Sequence, residues 1–98
     1  MTRKHFVVLV DDATKEQRDA FTTYIRDKAT TGFWHYTDKA WVVTERDLSV
    51  TPSALRDTVV EFMPSATVLV IFVADPSEWA SKAVVPANEW LQQFLVRS

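Results

Sequence analysis

The hydrophobic pattern changes period along this chain, and the changes mark its elements. Phe6-Val7-Val8-Leu9-Val10 is an unbroken apolar, largely β-branched run that predicts a first strand. It ends at Asp11-Asp12 and gives way to helical spacing, with Phe21, Tyr24, Ile25 and Ala29 on one stripe. Thr14 with Gln17 three residues on is the spacing of a capping box, in which hydroxyl and amide satisfy backbone donors reciprocally. The helix therefore starts there and runs to about position 29, with Gly32 expected to close it in the left-handed conformation. Phe33-Trp34-His35-Tyr36 and Trp41-Val42-Val43 flank a short polar break, which predicts a hairpin with strands at 33–37 and 40–44. The turn around Thr37-Asp38-Lys39 has no glycine, so a loop slightly longer than two residues is expected. Positions 45–50 read as a connector. Thr51-Pro52 is an N-cap followed by proline at the first helical position. Leu55, Val59 and Phe62 mark the buried face of this second helix, and Pro64 stops it. Val68-Leu69-Val70-Ile71-Phe72-Val73 predicts a fourth strand, broken by Asp75-Pro76. A loop with Trp79 follows, and Pro86 opens a last helix with Trp90, Leu91, Phe94 and Leu95 on its apolar face.

The predicted order β-α-β-β-α-β followed by one helix is an α+β class: a ferredoxin-like split βαβ sandwich with an extra C-terminal helix, one domain over 1–98. Right-handed crossovers place both crossover helices on one face of the sheet. A sheet wet on its other face alternates apolar and polar residues. The first and fourth strands do not alternate: Phe6, Val8 and Val10 oppose Val7 and Leu9, and Val68, Val70 and Phe72 oppose Leu69, Ile71 and Val73. Both faces are apolar, so a cover is expected for the face the helices leave bare. Burying four such side chains contributes on the order of 6–12 kcal/mol. The C-terminal helix, a second copy of the chain, or both can supply that cover.

Composition removes whole classes of chemistry. The 98 residues contain one glycine and no cysteine. A P-loop or dinucleotide fingerprint needs several glycines at fixed spacing, and thiolate zinc sites, disulfides and cysteine nucleophiles need the missing thiols. Hydrophobic residues make up 47% of the chain, which indicates a folded domain rather than disorder. Met1-Thr2-Arg3-Lys4-His5 opens like the basic region of a signal peptide, but the apolar run after it is five residues long, too short for a signal core or a membrane span. The expectation is a soluble cytoplasmic protein without a membrane partner. The formal net charge of −2 gives no electrostatic footprint for nucleic acid.

Candidate chemistry is sparse. Asp11 and Asp12 at the end of the first strand have the oxygen ligands a magnesium ion takes, while the plainer reading is local capping near a helix N-terminus. His35 is a candidate acid or base, but no second histidine stands at ligand spacing. Trp34, Tyr36 and Trp41 resemble base-stacking platforms, yet such platforms sit among lysines and arginines and only Lys39 is near. With Trp90 they fit an interface or a covered sheet better, since these side chains combine large apolar area with a polar handle.

Trp34-His35-Tyr36, Trp41-Val42-Val43, Ser53-Ala54-Leu55-Arg56-Asp57, Val68-Leu69-Val70-Ile71, Trp79 and Trp90-Leu91 together resemble the small SinR-type family, which is distinct from the DNA-binding repressor of that name. That family is similar in fold to the small CRISPR-associated subunit that bridges the spacer integrase and to VapD-type toxin ribonucleases. The resemblance implies homodimerisation and an aspartate at the end of the first strand, a place held here by Asp11 or Asp12. The chain departs from the nuclease members in lacking a basic surface and an evident polar cluster beside that aspartate.

The reading favoured by these observations is a small non-catalytic binding or adaptor protein, homodimeric, with Trp34, Tyr36, Trp41 and Trp90 in its interface and no cofactor. A further protein partner and a setting in phage–host or mobile-element defence fit the resemblance. The alternatives are a magnesium-dependent nuclease centred on Asp11 with His35, metal held by Asp11 and Asp12, and a nucleic-acid binder using the aromatic sheet.

Overall fold

A computed structural model describes residues 3–28 and 30–73, together with Pro86 and Glu89, and the side chain of Tyr36 is outside this set. The elements run β1 (Lys4–Asp11), α1 (Lys15–Asp27), β2 (Thr31–Thr37), β3 (Ala40–Glu45), α2 (Pro52–Phe62) and β4 (Thr67–Val73). They form a four-stranded sheet in the order β2-β3-β1-β4, with every neighbouring pair antiparallel. The chain is thus a small α+β domain. Pro86 and Glu89 are in helical conformation. Trp79, Trp90 and the remainder of the expected C-terminal helix lie outside the described residues.

Local chemistry accounts for the helix starts. The Thr14 hydroxyl accepts from the Gln17 N–H at 3.1 Å, and the Gln17 side chain accepts from the Thr14 N–H at 3.0 Å, completing the capping box. Thr51 caps α2 by accepting from the Ala54 N–H at 3.2 Å, with Pro52 in the first turn. The end of α1 differs from expectation. Its C-cap is Lys28 in an extended conformation, whose N–H closes a tightened last turn on the Ile25 carbonyl. Gly32 lies inside β2 opposite Thr44, at negative φ, because the β2–β3 pairing extends to Thr31 and Glu45. The left-handed position belongs instead to Asp12, at φ 64°, in the turn between β1 and α1. Aspartate tolerates that region better than most residues because its short side chain bonds locally. Here the Asp12 N–H donates to the Asp11 carboxylate at 3.0 Å.

One face of the sheet carries both helices. Phe6, Val8 and Val10 of β1 and Trp41 and Val43 of β3 pack with Phe21 and Ile25 of α1 and Leu55 and Val59 of α2 in a single core. Tyr24, expected on the buried stripe of α1, is instead 42% exposed at the helix margin, its ring 5.2 Å from that of Phe62. The opposite face is the unusual one. Leu9, Leu69 and Ile71 project from it at 39%, 52% and 44% exposure, and Leu9 stands directly across from Leu69. His5 and Thr44, a cross-strand pair on that same face, are buried. No helix among the described residues is long and apolar enough to cross a membrane.

Candidate functional site

Most of the polar candidates collect at one end of the sheet, where β1 ends and the β2–β3 hairpin turns. The hairpin loop is the two residues Asp38 and Lys39, tighter than expected for a turn without glycine. Neither is at positive φ. Such a loop splays the strands unless the ladder adjusts. The adjustment is a bulge: between the pairs Trp34↔Val42 and Thr37↔Ala40, His35 and Tyr36 on β2 stand against Trp41 alone on β3.

The bulge fixes His35. Its ring lies flat on Trp41, with centroids 4.2 Å apart and planes 8° from parallel. Its Nδ1 is 2.8 Å from the Ala40 carbonyl. A carbonyl only accepts, so Nδ1 carries the proton of this bond, and in the neutral ring Nε2 keeps its lone pair. The neighbouring hairpin residue holds Asp11. The Val10 N–H donates to the Lys39 carbonyl at 2.9 Å, and the Lys39 ammonium donates to the Asp11 carboxylate at 2.9 Å. The Lys39 hydrogen bond, with that of the Asp12 N–H, holds the Asp11 carboxyl below its ordinary pKa. Asp11 and His35 are therefore both tethered to consecutive residues of one turn, Lys39 and Ala40. Asp11 meets a cation rather than a second carboxylate, and both partners of that ion pair are largely exposed. No group of three or more histidine, aspartate or glutamate side chains among the described residues is placed to hold a metal ion.

The aromatic candidates separate. Trp41 is fully buried on the helix face, with Phe21 edge-on at 5.2 Å and 88°, and its Nε1–H donates to the Thr22 hydroxyl at 3.0 Å. Trp34, paired with Val42, faces the other side of the sheet and is half-buried. The expectation that Trp34 and Trp41 share a surface is corrected by strand parity: positions 41 and 42 point to opposite faces. Trp41 belongs to the core and is closed to a partner. The Tyr36 side chain and Trp90 lie outside the described set.

Comparison of the chain with protein-family models, curated proteins and solved structures returned no match.

A second polar centre forms at Glu45, a position expected in the 45–50 connector. Glu45 closes β3, facing the core at 2% exposure. Its Oε1 accepts from the Thr31 hydroxyl at 2.8 Å, the Thr30 hydroxyl at 3.1 Å and the Lys28 ammonium at 3.1 Å. Burial pushes the Glu45 carboxyl up, but the hydrogen bonds from Thr31, Thr30 and Lys28 outweigh it and hold the group below its ordinary pKa. The available signal was parity: Trp41, Val43 and Glu45 alternate on one face of β3, so a strand carried one residue further buries the carboxylate.

Proposed function

We propose that the chain is a ferredoxin-like split βαβ domain with a C-terminal helix, working in the cytoplasm as a non-catalytic binding or adaptor subunit that self-associates as a homodimer. The observation that supports this is the sheet face away from the helices, where, among the described residues, Leu9, Leu69 and Ile71 are exposed while His5 and Thr44 are buried. The ferredoxin-like assignment rests on the element order and on the strand order β2-β3-β1-β4, with both crossover helices packed into one core. A self-complementary aliphatic face suits a two-fold dimer, because each subunit offers the other the same patch. Two such faces stack about 10 Å apart and bury their side chains together. The likeness to the SinR-type group, and a setting in phage–host or mobile-element defence, remain part of this reading as analogy of fold.

Light scattering with mass determination across a dilution series tests the assembly. The expected result is a dimer at micromolar concentration, and a strict monomer throughout the series removes it. The nuclease alternative predicts magnesium-dependent cleavage of single-stranded RNA or duplex DNA, abolished in Asp11→Asn. That result overturns the non-catalytic reading. The ion pair with Lys39 weighs against it, since a metal ion at Asp11 has to displace the ammonium that now holds the carboxylate.

A further inference from the structure

A cavity of about 90 Å³ lies between α1 and α2 above the sheet. Its walls are mostly apolar, with Phe6 and Val43 from the sheet, Ile25 from α1 and Leu55 from α2. The polar features that distinguish it from a packing gap are Glu45 and Lys28, which also line it. Glu45 is 2% exposed and Lys28 is 37% exposed, so one partner is fixed in the interior and the other reaches solvent. We propose that this cavity is a binding site for a small primary ammonium compound with a short apolar tail, and that Lys28 is a tethered stand-in for the ammonium of that ligand.

The charge of the site selects a cation. The Thr30 and Thr31 hydroxyls both donate to Glu45, so they reinforce the carboxylate and offer no donor to an anion. A carboxylate has about four lone-pair positions. Oε1 takes three close donors, whereas the donors to Oε2 stand at 3.2 Å from Thr31 and 3.5 Å from the Asp47 N–H. These contacts fill the carboxylate, so a ligand N–H enters only where the Lys28 ammonium leaves. Leaving a buried carboxylate without its cation is costly, so a ligand competes only by replacing the ammonium it displaces. Lys28 extends from the C-cap of α1 and its side chain is 37% exposed, so its path out of the cavity leads to solvent. The exchange swaps one ammonium for another and adds burial of the ligand's tail. The cavity is smaller than the 150 Å³ hole that takes up benzene, which limits that tail to on the order of four carbons.

The test is titration of the full chain with n-butylammonium chloride, followed by amide and methyl chemical shifts. Saturable shifts at Ile25, Val43 and Leu55 in the millimolar range are expected, with at least tenfold tighter binding in Lys28→Met, where the internal competitor is gone. Tetramethylammonium, which has no N–H, and 1-butanol, which has no charge, are expected to bind at least tenfold more weakly. Absence of saturable shifts in the unmodified chain overturns the proposal, even if Lys28→Met binds, because the site then exists only in the variant. Equal binding of 1-butanol overturns it as well, since the cavity is then a plain apolar hole. Glu45→Gln, where it folds, is expected to lose the preference for the ammonium.

Discussion

His5 is buried at 3% exposure, and neither of its ring nitrogens is hydrogen-bonded among the described residues. A ring in that position is held neutral: burial, and secondarily the positive charge of Arg3, lower its pKa below the ordinary 6.5. The unfolded chain restores the ordinary value, so between the two pKa values the unfolded state binds a proton that the folded state does not. The contribution of His5 is therefore fully present above about pH 6.5 and is lost as pH falls through the folded-state pKa. Denaturant midpoints measured from pH 7 to pH 5 are expected to fall in the natural chain and to fall less in His5→Leu. Identical slopes count against His5 as the source. Glu45 also has a depressed pKa, but its loss belongs to a lower window, below 4.5, and the two are separable by titration. Neither residue was legible as buried. His5 stood in a basic N-terminal stretch and Glu45 in a supposed connector. Glu45 becomes interior because strand pairing runs on to Lys4↔Glu45 and carries it onto the helix face, and the His5↔Thr44 pair sits on the other face, a register that local composition does not reveal. Asp11 and Asp12 were legible as the turn after β1, but not the reach of Lys39 across 28 positions to the first of them.

Among the elements, those specified by neighbours in sequence agree with their signals. Thr14–Gln17 and Thr51–Pro52 start helices where their spacing places them, since a cap is chemistry between residues at most three apart. Thr14→Ala is expected to destabilise the domain by about 1 kcal/mol, read as a shift of the urea midpoint at constant slope. Gln17→Ala removes only the reciprocal half of the box and is expected to cost less; a larger loss at Gln17 than at Thr14 contradicts this assignment of roles. Elements specified by long-range pairing departed from their signals. Gly32 has the right position to close α1, but opposite Thr44 it serves as a strand residue instead. The β2–β3 turn lacks the glycine that tight hairpins favour, and the ladder adjusts by the bulge rather than by a longer loop. That bulge lays His35 on Trp41, so the position of the histidine follows from the turn and not from its own neighbours.

At the scale of the molecule, the class and the two-faced character of the strands were both present in the sequence. The apolar parity of β1 and β4 called for burial on both faces, and Leu9, Leu69 and Ile71 are the residues that still ask for it. The aromatic set was less legible. Trp34 and Trp41 look alike in composition, yet alternation sends one to the open face and one to the core, so the aliphatic face carries the argument for self-association. Leu69 is the sharpest probe, because at 52% exposure it contributes little to its own domain. Full burial of a leucine contributes about 1.5–3 kcal/mol, roughly half of that remains to be gained by a side chain at 52% exposure, and a two-fold dimer loses two such halves in Leu69→Asp. The dissociation constant is then expected to rise by roughly one to two orders of magnitude while far-UV circular dichroism stays unchanged. Phe72 supplies the contrast. It is 47% exposed on the helix face, with its ring 5.9 Å from that of buried Phe6, so Phe72→Asp is expected to leave the dimer mass unchanged. A Leu69→Asp chain that keeps its fold and its dimer mass places the contact elsewhere and removes the open face as the assembly surface.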